Sequence, residues 1–538
     1  MPGIPVVAVL LVLAFLSPAT GFAASPPQAA PSSISLGTVN FPSSCTPAAQ
    51  KAVEQGVALL HSFQYQQVEQ AFTRATEQDP HCAIAYWGKA MGLYHQLWDF
   101  PTEATLHDGL QDVQQGKKLA QGTDLERAYL AAAAAFYQNN PKLSHIERRR
   151  AYSEAMARLH QKFRNDDEGA AFYALSLVAL AEESDQEVAN RKQAIAILQP
   201  LFHKHPDNPG MAHYLIHATD TPQLASQGLE AARAYAKIAP ASSHALHMPS
   251  HIFVRLGLWQ ECINSNLVAA KAAADATRAH LADSGYEFHA LDFLDYAYLQ
   301  SGQDSKARAL VEELKSVPGA TAEDIADHQA VTAARNALES HQWKQAAALP
   351  IPKVKLLWQD NTYFARVIGA ARSGDVAGAR QDLDKLKEII VARNAHHKEM
   401  GYGGHAGEAV DQIEAEAWLA FAEGKSDAAL KSVETAVKRE EEEGVGYDRL
   451  PAREMEADML LELKRPAEAL AAYKAALRDS PRRFNSLYGA ARAAELAGNA
   501  AEAREYYATL VQSCEPGADR TELQTARNYL AQHQQAAE

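Results

Sequence analysis

The chain has 538 residues, a formal net charge of −15 and four cysteines. That length is too great for one compact core and predicts either several domains or an extended repeat array. The negative charge and the scattered basic residues argue against nucleic acid, or an anionic membrane surface, as the main partner.

Residues 1–24 are predicted to be an export signal. The apolar run VVAVLLVLAFL at 6–16 is too short to span a bilayer, and small residues that suit cleavage follow it up to Ala24. No lysine or arginine precedes the run, so an ordinary apolar tail is the alternative. We expect a periplasmic or secreted protein without a membrane span. Residues 25–44 are rich in proline and serine and are predicted to be a flexible lead.

The cysteines are expected to be oxidised where they can pair, because exported proteins fold in oxidising compartments. Cys45 and Cys82 each precede the first helix of a predicted repeat, and the two repeats are adjacent. A disulfide between them is expected, with two independent buried thiols as the alternative. Cys262 lies at a small-residue packing position and is expected in the core.

Small and apolar residues recur with a period of 34, which is that of the tetratricopeptide repeat (TPR), a two-helix unit that stacks into a solenoid. A register that begins at Ala49 fills repeat positions 8, 11, 20, 24 and 27 with Gly56, Leu59, Val68, Phe72 and Ala75. A register that begins at Leu450 gives the same pattern near the C-terminus, and the central units fit more loosely. The predicted fold is an all-α, TPR-type solenoid (superhelix), with two lobes as one arrangement.

Breaks in this pattern divide the predicted solenoid into four segments. They are an N-terminal TPR-like solenoid with a histidine-rich groove at 45–315, a seam at 316–360, helical hairpins with a Gly/His loop at 361–445, and C-terminal TPR repeats at 446–538. The Gly/His loop, HHKEMGYGGHAG, contains His396, His397 and His405. An exposed polar loop is favoured there over a metal-binding lid.

Two pairs of histidines share one spacing and lie one repeat apart. His213 and His217 lie in HYLIH, and His247 and His251 lie in HMPSH. Each pair is four residues apart, and a shift of 34 residues places one pair on the other. Side chains at i and i+4 share one helix face, and stacking brings equivalent residues side by side. Four imidazoles are therefore expected to converge on one patch.

Several motifs resemble those of a group of exported bacterial TPR proteins. They are LLHSF, YWGKAM, HYLIHATD, HALHMPSHIFVRLGLW and GAARAAELAG, and the match covers most of residues 45–515. The resemblance implies export and the TPR fold, which normally binds peptides or partner proteins in a concave groove. In that fold, positions 2, 5 and 9 of the first helix line the groove. This places both histidine pairs there, with His244 and His289 at position 2 and Asp292 at position 5.

The predicted site is a divalent transition-metal centre, because imidazole suits zinc, copper and iron. Its expected ligands are His213, His217, His247 and His251, with His244, His289, Asp220 and Asp292 in support. The aspartates are expected either to ligate the ion or to orient a ring N–H from outside. Such a site can be closed and structural, or open and catalytic.

Other interpretations of the histidines remain open. The groove could be a non-enzymatic scaffold that binds a peptide, a partner protein or a small molecule, or the histidines could simply bond to neighbouring carbonyl groups. His61 and His95 are also 34 residues apart, and packing is as good an explanation as binding. Pro249 lies between His247 and His251, and a helix that begins at the proline would leave His247 in the preceding turn. Enzyme activity is left undecided.

Overall fold

The computed structural model describes residues 35–97, 100–119, 122–181, 187–400, 409–443, 446 and 450–534. All regular elements in these ranges are helical. The predicted export signal lies outside the described residues, as do 25–34 of the predicted lead and 401–408 of the Gly/His loop. Within the described part, no helix has the length and apolar character needed to cross a membrane.

Fifteen α-helices precede the predicted seam. They are α1 (Pro47–His61), α2 (Tyr65–Gln78), α3 (Ala83–Gly92), α4 (Glu103–Lys118), α5 (Asp124–Phe136), α6 (His145–Lys162), α7 (Asp167–Ala181), α8 (Glu187–Lys204), α9 (Pro209–Thr219), α10 (Ala225–Ile238), α11 (Ser243–His247), α12 (Pro249–Leu256), α13 (Trp259–Arg278), α14 (Gly285–Gln300) and α15 (Asp304–Glu313).

Eleven further α-helices follow in the described ranges. They are α16 (Ala322–Glu339), α17 (Trp343–Ala347), α18 (Asp360–Ser373), α19 (Val376–Met400), α20 (Val410–Ala422), α21 (Ser426–Glu443), α22 (Ala452–Glu462), α23 (Pro466–Asp479), α24 (Phe484–Leu496), α25 (Ala500–Ser513) and α26 (Thr521–Gln534). Single 3₁₀ turns lie at Leu314–Ser316 and Leu356–Trp358.

Helices pack on their neighbours in the chain and on the helix two places further along. Helices α1, α7, α18, α20 and α22 show this second contact, with α3, α9, α20, α22 and α24 respectively. Stacked helical hairpins pack in this way, because each unit buries its apolar face against the next. The predicted all-α, TPR-type solenoid is confirmed.

Close helix approach explains the glycine that the repeat pattern places at position 8. Gly56 in α1 and Gly88 in α3 both lie against the buried ring of Phe72 in α2. A Cβ atom would lie 2.7 Å from that ring at Gly56 and 2.2 Å from it at Gly88. Any larger residue would therefore push the three helices apart.

The described part of the lead, residues 35–44, has no regular secondary structure and is mostly exposed, but two of its apolar residues are anchored in the core. Leu36 and Phe41 are buried, and the Phe41 ring stacks on Trp87 with centroids 5.3 Å apart. The backbone N–H of Thr38 donates to the carbonyl oxygen of Asp207 at 2.9 Å. Isolated apolar residues in a Pro/Ser-rich stretch give no periodic signal, which is why composition alone missed this packing.

The predicted disulfide joins Cys45 to Cys82, and Cys262 is buried as expected. The first buried cluster of the core ends at Val317, and the second begins at Ala334. The described residues from Ser35 onward nevertheless pack as one unit, so two lobes with a seam between them stay a prediction. Helix α19 continues to Met400, so the first residues of the predicted Gly/His loop are helical.

The C-terminal helices pack back onto the middle of the chain through buried ion pairs. The Arg483 guanidinium, which is fully buried, lies 2.8 Å from Glu454 Oε2 and 2.8 Å from Glu339 Oε1. Arg520, just before α26, lies 2.7 Å from Asp304 Oδ1 at the start of α15. Buried charges persist only when they are paired, so these contacts fix the C-terminal repeats against the earlier helices.

Replacement of Arg483 by alanine should lower the free energy of unfolding by about 3–5 kcal/mol, because Glu454 and Glu339 would remain buried without a counter-charge. Arg482→Ala is the matched control, since the neighbouring side chain is exposed, and should change stability by less than about 0.5 kcal/mol. Denaturant unfolding followed by circular dichroism measures both variants. An equal decrease in the free energy of unfolding of the two variants would contradict the ion-pair explanation.

Candidate metal centre

Six histidines from four helices form a continuous patch. Helix α9 carries His213 and His217, α11 carries His244 and His247, α12 carries His251, and α14 carries His289. The start of α9 is fixed by Asn208, whose side-chain oxygen accepts from the backbone N–H of Gly210 at 2.9 Å. Pro209 occupies the first helical position, where a missing N–H costs nothing.

Pro249 begins a new helix, which the sequence left open, but His247 ends a short helix instead of lying in a turn. Helix α11 ends at His247 and α12 begins at Pro249. The spacing of the rings survives the break, because the Nε2 atoms of His247 and His251 are 3.1 Å apart. The corresponding atoms of His213 and His217 are 3.0 Å apart. The two pairs are therefore alike in geometry.

The candidate ligand atoms gather into two groups. The first histidine group is His213, His217 and His244, and the second histidine group is His247, His251 and His289; within each, the atoms lie within 4.8 Å of one another. The rings of His217 and His251 are 6.2 Å apart across the boundary. The sequence predicted that four imidazoles converge on one patch. The structure instead has two groups of three, because a third histidine from the following unit joins each pair.

His213 is the centre of the first histidine group. Its Nε2 lies 3.0 Å from Nε2 of His217 and 3.0 Å from Nε2 of His244. Its Nδ1 donates to the carbonyl oxygen of His61 at 2.6 Å. That oxygen can only accept, so a neutral His213 carries its proton on Nδ1 and one lone pair on Nε2. One lone pair cannot accept two full hydrogen bonds from the neighbouring rings.

The second histidine group brings two lone pairs face to face. His247 Nδ1 donates to Asn266 Oδ1 at 2.7 Å, and the Asn266 amide nitrogen donates to the Cys262 carbonyl at 2.9 Å, which fixes the orientation of the amide. His251 Nδ1 donates to Asp220 Oδ2 at 2.8 Å. In neutral rings both Nε2 atoms are therefore acceptors, yet they lie 3.1 Å apart. A proton or a metal ion between them is needed to offset the repulsion.

The two predicted aspartates are placed differently. Asp220 orients His251 and also accepts from Arg255 Nε at 3.0 Å. Burial alone would raise the pKa of Asp220, but the neighbouring Arg255 and His251 lower it below its ordinary range. Asp292 contacts an arginine instead of a histidine ring, because Arg335 Nη1 donates to its carboxylate at 2.7 Å. Asp220 therefore holds a ring of the second histidine group, whereas Asp292 lies near His289 on the same helix and is bound by Arg335.

Each histidine group packs on one buried phenylalanine. The Phe63 ring lies 4.5 Å from the His213 ring, and the Phe293 ring lies 4.7 Å from the His247 ring, measured between centroids. Sequence reasoning missed both phenylalanines and Asn266. Nothing in the repeat pattern distinguishes these three residues from ordinary core positions, so no sequence signal would have found them.

His61 and His95, the third pair with the 34-residue spacing, have packing roles. The His61 ring is fully buried, and its Nε2 lies 2.8 Å from Glu168 Oε2. Its contribution to the site is the backbone carbonyl that orients His213. The His95 ring stacks on Tyr65 with centroids 3.9 Å apart. Neither ring belongs to a histidine group.

Burial favours the neutral form of five imidazoles of the site, because it lowers their pKa values. It lowers the pKa of His213 to about 3 and the pKa of His289 to about 4. It also lowers the pKa values of His217, His244 and His247 well below the ordinary range. Neutral imidazole is the form that binds metal, so these side chains are ready to act as ligands at neutral pH.

Residues 414–482 and 454–518 match the tetratricopeptide repeat family. This match lies in the C-terminal part of the chain, beyond the histidine groups. No curated protein matches the chain. The resemblance to exported bacterial TPR proteins is thus supported for the repeat, and the export-specific motifs stay a prediction.

Solved structures with a distant likeness are also repeat proteins. A human IFIT1 dimer with PPP-AAAA is 13% identical with a TM-score of 0.36, over 84% of this chain and 94% of that one. Yeast Tom70 is 11% identical with a TM-score of 0.30, over 90% of this chain and 89% of that one. Likenesses this weak carry no argument about what the chain binds.

Acidification should destabilise the metal-free protein. The unfolded chain takes up protons on histidine below pH ~6.5, whereas folded His213 resists protonation down to about pH 3. Stability should therefore fall as the pH drops from 7 to 4, by up to about 1.4 kcal/mol per pH unit for each such histidine. Denaturant unfolding at several pH values measures the slope. His213→Gln should reduce that slope, and an unchanged slope would count against a neutral buried His213.

Proposed function

We propose that this chain is an exported TPR solenoid whose groove binds transition-metal ions through the two histidine groups. The contact between His247 and His251 carries the proposal. Their Nε2 atoms are 3.1 Å apart, while both Nδ1 atoms already donate to fixed oxygens. A metal ion placed between the two rings would accept both lone pairs at once.

The spacing of the nitrogens suits a tetrahedral ion. Two ligands at about 2.0–2.1 Å from such an ion lie roughly 3.3 Å apart. The paired Nε2 atoms are 3.0 Å apart in the first histidine group and 3.1 Å apart in the second, and all three ligand atoms of each group lie within 4.8 Å of one another, so rotations of the rings would accommodate the ion. Three histidines leave one position of a tetrahedral shell open, as in catalytic metal sites.

The outer contacts support the same proposal. Metal-binding histidines usually donate their second N–H to a carbonyl or carboxylate oxygen, which fixes the tautomer and the ring. His213, His247 and His251 all do so. Both groups consist of imidazoles alone, a donor set that suits zinc, copper or iron. The open position is compatible with activation of water or dioxygen by the ion.

Export is supported by the disulfide and by the N-terminal sequence. The apolar run at 6–16 has the length of the core of an export signal. The bond between Cys45 and Cys82 suits an oxidising compartment such as the periplasm.

A second candidate function, a scaffold for a peptide or partner protein, is favoured by the repeat match at 414–518. A cavity of about 590 Å³ lies in this region between α21, α22 and α23. Its wall includes Lys431, Arg453, Arg465 and Glu468, so a polar peptide segment is the kind of ligand it suits. The two functions use different parts of the chain and do not exclude each other.

Metal content tests the first proposal. Protein purified without a His-tag or chelating column should bind two ions per chain. His217→Ala should weaken binding at the first histidine group by at least tenfold, and His251→Ala should do the same at the second, because each removes a direct ligand. Elemental analysis and zinc titration calorimetry measure number and affinity.

His203→Ala is the control for these variants, since its side chain is 55% exposed and belongs to neither group. It should bind both ions as the unaltered protein does. Metal content that is the same in all three variants would refute the site. Metal at background in every protein, together with a peptide or protein that binds the C-terminal repeats, would favour the scaffold.

Asp220→Asn should weaken metal binding at the second histidine group by about 10–100-fold and leave the first unchanged, because the charge that orients His251 is lost. Asp292→Asn is the matched control, since its carboxylate is also paired with an arginine but does not orient a histidine ring as Asp220 does. Competition with a chromogenic zinc chelator gives both affinities. Equal effects of the two substitutions would show that Asp220 has no special role.

A further inference from the structure

A metal-loaded site would carry positive charge that the neighbouring side chains do not offset. Metal-bound imidazole is neutral, so two divalent ions held by histidine alone keep their full charge. The two aspartates that act on site histidines are already paired: Asp220 lies 3.0 Å from Arg255 Nε, and Asp292 lies 2.7 Å from Arg335 Nη1. An external anion is therefore the natural ligand for the open positions.

The distance between the two histidine groups determines how large an anion must be for both ions to share it. His217 and His251 are equivalent residues of successive units, and their ring centroids are 6.2 Å apart. Equivalent ions should be separated by a similar distance. A single bridging atom about 2.0–2.1 Å from each ion spans roughly 4 Å at most. An anion that offers two oxygens, one to each ion, spans about 6 Å with the same bond lengths.

Each histidine group has at least one partly exposed member. His213, His244 and His247 are buried, whereas His217, His251 and His289 keep partial exposure. The exposed members include the pair that faces across the boundary between the groups. A ligand that reaches this pair meets both groups at once.

We propose that the two metal ions together bind one phosphoryl group, with one oxygen on each ion. The inference rests on the proposed metal binding and names the ligand class of the same site. A phosphate carries a charge of about −1.5 to −2 at pH 7. It therefore neutralises more of the charge on the ions than a carboxylate does. Two of its oxygens can also span the distance expected between the two ions. Free phosphate and a phosphate monoester share this chemistry.

Calorimetric titration of the zinc-loaded full-length chain with inorganic phosphate tests the proposal. We expect one phosphate per two zinc ions, and at least tenfold weaker binding to the metal-free protein. His217→Ala and His251→Ala, each of which keeps one intact histidine group, should also bind phosphate at least tenfold more weakly. His203→Ala should match the unaltered protein. Acetate should bind at least tenfold more weakly than phosphate, and phenyl phosphate distinguishes a site that takes monoesters from one that takes the free ion.

The outcomes separate this inference from the metal proposal. Two bound zinc ions with no phosphate binding, or single-group variants that bind phosphate as tightly as the unaltered protein, would overturn the shared ligand and leave metal binding intact. Equal phosphate binding with and without zinc would overturn it as well, and that comparison needs no variant. Absence of zinc binding to the unaltered protein would remove both proposals.

Discussion

Three histidines of the site donate their Nδ1 protons to fixed oxygens, and the metal-binding geometry of the site depends on these hydrogen bonds. His213 donates to a backbone carbonyl, His247 to an amide and His251 to a carboxylate. Each donation turns the Nε2 lone pair of the ring toward another imidazole. Because the surroundings are buried, inward lone pairs without a cation would be costly. The oxygens that accept from Nδ1 therefore determine which way the Nε2 ligand atoms point.

The repeat produces this arrangement twice. Positions 5 and 9 of one unit supply a pair of histidines, and position 2 of the next unit supplies the third. His244 completes the first histidine group and His289 completes the second. The spacing from His244 to His289 exceeds one 34-residue repeat, because the long helix α13 (Trp259–Arg278) lies between them. Pro249 interrupts one of the helices without changing the distance between the rings. Stacking of similar units is thus enough to place two similar sites side by side.

Sequence periodicity was sufficient for the helical repeat and the histidine pairs, because both depend on local spacing. It could not separate the two histidine groups, since a 34-residue shift relates equivalent residues without giving the distance between them. Asp292 has the expected repeat position, but Arg335 from a later helix binds its carboxylate. Asn266 and Phe63 became evident only from contacts between helices, which no single-residue pattern encodes.

The buried pairs of Arg483 with Glu339 and Glu454 affect how this chain can evolve. Open solenoids gain and lose units freely, because each unit contacts only its neighbours. Here, an additional hairpin between Glu339 and Arg483 would move the guanidinium away from a carboxylate that stays buried. Duplication or deletion of one unit in that interval would therefore leave the Glu339 carboxylate buried without its counter-charge. This cost disfavours a change in the number of repeats between the two residues.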